Sequence, residues 1–314
     1  MRYIRLIYSI ALGAILLMGV HAFRAHHATA GAVAFGVFEG TSPGVVDARP
    51  FLQIPLTDKC DFIKWKLTFL PDKQAGTSST FKLEQEYGYY PDNRTNKTLG
   101  KATIEGRWEK DRGIKSNPDA VVYRLTAGEH TISFLQLDNN LLHLLNTDKG
   151  LMNGDGGQGF TLSRTDKAIP PTSIFQTSQA NASFSSGVKD TVINFIGRTP
   201  CAAVSKEMNM AKPSDCFKLK WALKLYQDPV TFKPTTYQLN RVYRERNQME
   251  GIWSVVKGAA ADPNAVIYKL DAFDHKYTLY MMKGGDSTLF FLDQQRNLLV
   301  GNNEFCYTLN RRRL

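Results

Sequence analysis

The sequence predicts an all-β protein made of two tandem, small antiparallel meander barrels. Three observations support this fold class: short segments in which apolar and polar residues alternate, turn-forming residues between them, and a repeat that divides the chain. In CDFIKWKLTF (60–69), every second residue from Ile63 onward is apolar, and CFKLKWALKL (216–225) has the same pattern from Leu219. A period of two places the apolar side chains on one face of a sheet and the lysines on the other.

The repeat consists of four segments that recur in the same order. The pairs are CDFIKWKLTF (60–69) with CFKLKWALKL (216–225), EGRW (105–108) with EGIW (250–253), NPDAVVYRL (117–125) with DPNAVIYKL (262–270), and FTLSR (160–164) with YTLNR (307–311). Such repetition indicates a duplicated unit. We predict one unit over 33–164 and another over 190–314. Residues 165–189 are rich in Pro, Ser and Thr, bury too little apolar surface to fold alone, and are predicted to form a linker.

The remaining elements follow from local patterns. Further β-like runs cover 121–125, 131–137, 141–145, 266–270, 277–282 and 289–292. Segments such as LDNN and KGGD between them are typical of hairpin turns. We expect short helices at 204–210 and, in the first unit, at 46–52. Six to eight strands per unit with one apolar face favour a meander barrel, and a sandwich of the same strands is the alternative.

The first thirty residues have the composition of an export signal. Arg2 and Arg5 precede an apolar run from Leu6 to Val20, and small residues suited to cleavage end at Ala22 and again at Ala30. We predict a signal peptide over 1–22, with cleavage at 30 as the second possibility and an uncleaved anchor as the alternative. The apolar run does not end in a cysteine, so we expect no lipid attachment. The expected location is periplasmic or extracellular, with no transmembrane span after signal removal.

The charge pattern bears on partners. The net charge is +10, but lysines and arginines are spread thinly along the chain. A thin spread is typical of a solvated surface, so we expect no nucleic-acid partner. The expected partner is an envelope protein or a small ligand.

The cysteines supply the candidate chemistry. Cys201 and Cys216 are fifteen positions apart, and a disulfide closing such a loop would stabilise the fold by about 3 kcal/mol. We predict this disulfide because such bonds persist in exported proteins. A metal site is the alternative: the thiolates of Cys201 and Cys216 with Met208 and Met210 would suit Cu(I), so copper is the one cofactor considered. In the first unit, Gly44 replaces the first cysteine.

The second unit resembles a known family. FIGRTPCA (195–202), a cysteine before a strand, EGIW (250–253) and YTLNR (307–311) are similar to the N-terminal domain of the copper-resistance lipoprotein NlpE. The resemblance extends to the first unit and implies a lipocalin-like barrel in each, with a role in copper resistance or envelope stress. The family's Cys-x-x-Cys is opened here to Cys201 and Cys216, the first unit keeps only Cys60, and the lipid-bearing cysteine is missing.

Motifs for catalysis are lacking in the sequence. We find no nucleophile elbow, phosphate-binding loop or metalloprotease helix, so we predict that the protein is not an enzyme. Trp65, Trp108, Trp221 and Trp253 are expected to anchor the barrel cores, with a ligand cavity as the alternative. The predicted function is an exported, non-catalytic interaction or envelope-stress module, and the alternative is a binding protein for copper or a small apolar ligand.

Overall fold

The computed structural model describes residues 36–70, 79–92, 95–167, 169, 186–211 and 214–312. The predicted signal peptide and most of the predicted linker lie outside these residues. Within the described ranges, no helix has the length and apolarity needed to cross a membrane.

The first barrel contains eight strands and one short helix within the described residues. They are β1 (Gly36–Pro43), α1 (Arg49–Leu52), β2 (Phe62–Leu70), β3 (Thr80–Tyr89), β4 (Lys97–Ile114), β5 (Asn117–Ala127), β6 (His130–Gln136), β7 (Leu141–Leu144) and β8 (Thr161–Arg164). Each strand pairs antiparallel with the next, and β8 closes the barrel by pairing with β1.

The second barrel repeats this plan in the described part of the chain. Its elements are β9 (Val192–Thr199), α2 (Ala202–Glu207), β10 (Leu219–Gln227), β11 (Pro234–Val242), β12 (Arg246–Lys257), β13 (Val266–Ala272), β14 (Thr278–Gly284), β15 (Thr288–Leu292) and β16 (Thr308–Arg311). Closure is again between the last strand and the first. Two tandem closed meander barrels confirm the predicted fold class, and the barrel is the correct choice over the sandwich.

Tryptophans fill matching places in the two interiors. Trp65 and Trp221 are each 3% exposed, and their indole N–H groups donate to Ser42 and Thr199 at 2.9 Å. Trp253 is also buried and donates to a backbone carbonyl. Trp108, in the place of Trp253, is only partly buried but packs against the core of the first barrel. A buried indole with a satisfied N–H is a stable core anchor.

The helices are shorter than expected. The chain turns away from each helix through a left-handed residue: Gln53 (φ 57°) directly follows α1, and Asn209 (φ 52°) lies two residues after the end of α2. Aligning these residues makes Leu52 the structural counterpart of Met208 and Ile54 that of Met210. Counting from Gly44 and Cys201 in the sequence alone would instead place Phe51 opposite Met208 and Gln53 opposite Met210. The difference arises because the first copy has one more residue between Gly44 and its left-handed position.

The two barrels share a buried apolar contact that the linker hypothesis does not include. Leu141 of β7 clusters with Phe290 and Leu292 of β15 and with residues from the β12–β13 region. The ring of His143 meets that of Phe290 edge-on, with centroids 5.5 Å apart. Strands β7 and β15 are therefore buried on both faces. The run before YTLNR favours a strand at Cys306, but Cys306 precedes β16 and is buried, and a Cβ atom on Gly159 of the first barrel would lie 2.8 Å from its Sγ.

Both described ends of the predicted linker are fixed to barrels. Ile169 exchanges two hydrogen bonds with the side chain of Asn140. At the other end, Ser186 is buried and donates to Gln227, whose amide group in turn donates to the carbonyl of Val188. The barrel packing therefore extends into both ends of the 165–189 segment.

Candidate functional site

The disulfide is the first feature of the candidate site. Cys201 and Cys216 are bonded, with Cα atoms 6.0 Å apart, which confirms the predicted pair. The bond ties the start of α2 to the segment entering β10. In the first barrel, a Cβ atom on Gly44 would lie 1.9 Å from the carbonyl oxygen of Cys60. A second sulfur does not fit there without a backbone shift, so the first barrel holds its helix by other contacts.

Tyrosine–aspartate hydrogen bonds fasten the helix-containing segment in both barrels. Tyr87 on β3 donates to Asp58 at 2.6 Å, and Tyr243 after β11 donates to Asp215. The hydrogen bond to Asp58, with burial, raises the pKa of Tyr87 to about 12. Sequence reasoning missed these ties, although the two tyrosines occupy matching positions four residues after a strand leucine.

A cleft of about 710 Å³ lies beside α2 at one end of the second barrel. We call it the methionine cleft. It is bounded by the end of α2, the start of β12 and the β13–β14 turn. Its apolar lining consists of Met208, Met210, Met249, Ala272, Phe273 and Tyr277. Met208 is buried in the core, whereas Phe273 is 55% exposed at the rim. The cleft thus offers apolar surface that solvent can reach.

The polar lining is mostly paired. It consists of Asn209, Asn247, Gln248, Glu250, Asp274 and Lys276. Asp274 and Lys276 form an ion pair at 3.0 Å, and Glu250 accepts hydrogen bonds from Gln238 and Gln248. The amide of Asn209 donates to the carbonyl of Lys276 and so joins α2 to the β13–β14 turn. These contacts hold the walls of the cleft in place.

Arg241 lies behind the methionine cleft. Its Nη1 donates to Sδ of Met210 at 2.7 Å, and its Nε is buried without a partner among the described residues. Burial lowers the pKa of Arg241, and Tyr277 is the group that opposes this shift. In the first barrel the matching residue is Gln85, since Leu83 and Leu239 hold equivalent register positions.

The predicted copper ligands are near one another only in part. Both sulfurs of Cys201 and Cys216 are in the disulfide and carry no thiolate, while Met208 and Met210 line the cleft. Among the described residues, no three His, Cys, Asp or Glu side chains form a metal-binding group. The four-residue Cu(I) set therefore stays a prediction that applies to the reduced protein.

Neither a protein-family model nor a curated protein nor a solved structure matches this chain. The resemblance to the NlpE N-terminal domain stays a prediction, as do the copper-resistance and envelope-stress roles that it implies. The function is therefore inferred from the geometry of the methionine cleft.

Proposed function

We propose that the chain is an exported, non-catalytic interaction module of the cell envelope, and that it holds its partner in the methionine cleft. The observation that carries this proposal is the contrast between the barrel interiors and the cleft. Trp65, Trp221 and Trp253 occupy the interiors, whereas the cleft presents exposed Phe273 and partly buried Met249 to solvent. Exposed apolar surface of this kind is typical of binding sites.

The composition of the cleft supports a macromolecular partner. Aromatic side chains and methionine are enriched in protein interfaces, and the rim amides can pair with peptide groups. The disulfide and the Asn209 contact fix the α2 wall before a partner arrives. A preformed wall lowers the entropy cost of binding. The predicted export signal and the resemblance to an envelope-protein family agree with an envelope location.

Site-specific photocrosslinking tests the proposal. A photoreactive amino acid at Phe273 should capture an envelope protein in cells that produce the full chain. Val230 is the matched control, because it is 82% exposed and lies in the β10–β11 turn at the opposite end of the barrel. We expect a discrete adduct at position 273 and none at 230. Equal capture at both positions, or none at either, would contradict the proposal.

Cu(I) binding is a second candidate, favoured by three thioethers on the same cleft. Met208, Met210 and Met249 all line it, and sulfur ligands select Cu(I). The Arg241 cation beside Met210 opposes a metal ion at that sulfur. Uptake of Cu(I) by reduced protein, measured against a chromogenic chelator, tests this candidate. Loss of uptake in Met208→Leu and Met210→Leu would support it, and no uptake by the reduced wild type would refute it.

A small apolar ligand remains the other alternative. It would occupy the same Phe273 side of the cleft, because the tryptophans and their neighbours fill the barrels. Native mass spectrometry of the purified chain tests this: a retained mass that Phe273→Ser releases would support a small ligand over a protein partner.

A further inference from the structure

Arg241 points toward the barrel interior. Tyr237 and Leu239 precede it on β11 at the same phase of the strand, and both are fully buried. A strand alternates its side chains, so Arg241 belongs to the inward-facing set. Its register partner on β12 is Asn247, which lines the methionine cleft. The guanidinium thus lies next to the cleft, at the end of the barrel where α2 packs.

The carboxylates of the cleft are already engaged, whereas Arg241 has none. Asp274 pairs with Lys276, and Glu250 accepts from two glutamine amides. Within the described part of the chain, the guanidinium of Arg241 donates only to Sδ of Met210. The side chain is partly buried, and its Nε is buried without a partner among the described residues. Removing part of a charge from water without a counterion costs free energy, so this site favours an incoming anion.

The contact with Met210 is one that an anion can replace. A thioether is a weak acceptor, whereas a carboxylate forms charge-assisted bonds to two guanidinium nitrogens at once. The exchange needs only a change in the side-chain position of Met210, which is partly buried and long enough to take several rotamers.

The positive charge of Arg241 has no counterpart at the matching position of the first barrel. At the matching position of the first barrel, the amide of Gln85 donates to the carbonyl of Leu52, the last residue of α1. There the side-chain amide of Gln85 holds the end of the helix in place. In the second barrel, the disulfide holds the start of α2 and the side chain of Asn209 holds the turn after its end, so the guanidinium of Arg241 is not needed for that purpose.

From these contacts we infer that the methionine cleft binds the free C-terminal carboxylate of a partner peptide, with Arg241 as the residue that receives it. Capture of a chain terminus is an established mode of peptide recognition. The amides of Asn247 and Gln248 can pair with the peptide backbone, and Met249 and Phe273 can contact the last side chain. This inference rests on the proposed function, since it names the chemistry of the partner at the same cleft.

A pair of tripeptides tests the inference. N-acetyl-Ala-Ala-Phe with a free carboxylate is compared with its C-terminal amide, in full-length protein carrying ¹³C-methyl methionine. We expect the free acid to shift the signals of Met210 and Met249 and to bind roughly 10- to 100-fold more tightly than the amide, since charged hydrogen bonds contribute that range. Arg241→Gln should abolish this preference.

The variants are matched to the two copies of the barrel. Gln stands at this position in the first barrel, so Arg241→Gln is compatible with the fold. Arg246→Gln removes the same charge from an exposed position at the start of β12 and should leave the preference intact. Arg241→Lys keeps the charge but loses the planar fork, so it should show an intermediate preference and serves if the Gln variant is unstable.

Four outcomes would overturn the inference: equal binding of acid and amide, loss of preference in Arg246→Gln, binding of dodecanoate with no binding of the peptide acid, or no binding of either peptide. If photocrosslinking at Phe273 still captures a partner, the proposed function survives such a result. If crosslinking fails but the protein still binds the free acid more tightly than the amide, the carboxylate site is supported and the proposal of an envelope partner is refuted.

Discussion

His143 makes the stability of the chain sensitive to mild acid. Its side chain is fully buried at the contact between the barrels. Its two ring nitrogens lie 2.9 Å from Thr161 Oγ1 and from the carbonyl oxygen of Met152, and the ring meets Phe290. In the neutral ring, Nε2 donates to the Met152 carbonyl and Nδ1 accepts from the Thr161 hydroxyl. Burial lowers the pKa of His143 to about 4.

The direction of the pH effect follows from this lowered pKa. Below pH 6.5 the unfolded chain binds a proton at His143, whereas the folded chain does not until the pH approaches 4. Stability is therefore complete above pH 6.5 and is lost as the pH falls toward 4. Proton linkage gives a loss of about 2 kcal/mol at pH 5 and about 3 kcal/mol below pH 4.

Urea unfolding at pH 7.5 and pH 5.0 measures the effect. His143→Gln is the control, because glutamine can donate to the Met152 carbonyl but does not titrate. We expect the wild type to lose about 2 kcal/mol more than the variant between the two pH values. Carboxylates common to both proteins contribute equally and cancel.

An equal loss in wild type and variant would refute this reasoning. If His143→Gln does not fold, the imidazole can be followed by NMR in the wild type instead. A His143 signal that titrates near pH 6.5 in the folded protein would also refute it.

Three further predictions concern the disulfide of the second barrel, the hydrogen bond from Tyr87 to Asp58, and the apolar contact between the two barrels. In melting experiments, reductant should lower the unfolding free energy of the wild type by about 3 kcal/mol and leave that of a Cys201→Ser/Cys216→Ser variant unchanged. An equal effect on both proteins would show that the disulfide does not stabilise the fold. Tyr87→Phe should cost about 1 kcal/mol in urea unfolding, because it removes one hydrogen bond, and no change would show that the tie is not stabilising. Phe290→Ala should cost about 3–5 kcal/mol by leaving a cavity between the barrels, and it should weaken the pH effect of the neighbouring imidazole; a neutral result would place the contact outside the stable core.

The strand pattern and the disulfide could be predicted because both depend on residues that are close together in the sequence. Alternation around Trp65 and Trp221 reports which face is buried, and the structure places β2 and β10 there. The cysteine spacing limits the loop that a disulfide can close. Neither inference requires knowledge of which distant segments meet.

The contact between the barrels was missed, although its signal is present. LLHLL (141–145) and TLFFL (288–292) do not alternate, and β7 and β15 are buried at every position. A continuous apolar run indicates a strand covered on both faces. Arg241 gave a similar signal, as a charge in phase with Tyr237 and Leu239. The methionine cleft itself joins α2, β12 and the β13–β14 turn, so no single segment could reveal it.

The two barrels meet through equivalent surfaces. Residues 141–164 align without a gap to 288–311, so His143 corresponds to Phe290, and these two rings touch each other. The backbone N–H of Gly154 donates to Asn310.

Their counterparts, Gly301 and Ser163, also approach each other: a Cβ atom on Gly301 would lie 3.1 Å from Ser163 Oγ. Contacts that repeat when the copies are exchanged are those of an isologous dimer, here joined into one chain. The departures from symmetry lie elsewhere. Cys201 replaces Gly44 and Arg241 replaces Gln85, both at the end of the barrel that carries the cleft. The shared contact is retained while this end differs, so the proposed binding cleft lies at the end of the second barrel where the two copies have diverged.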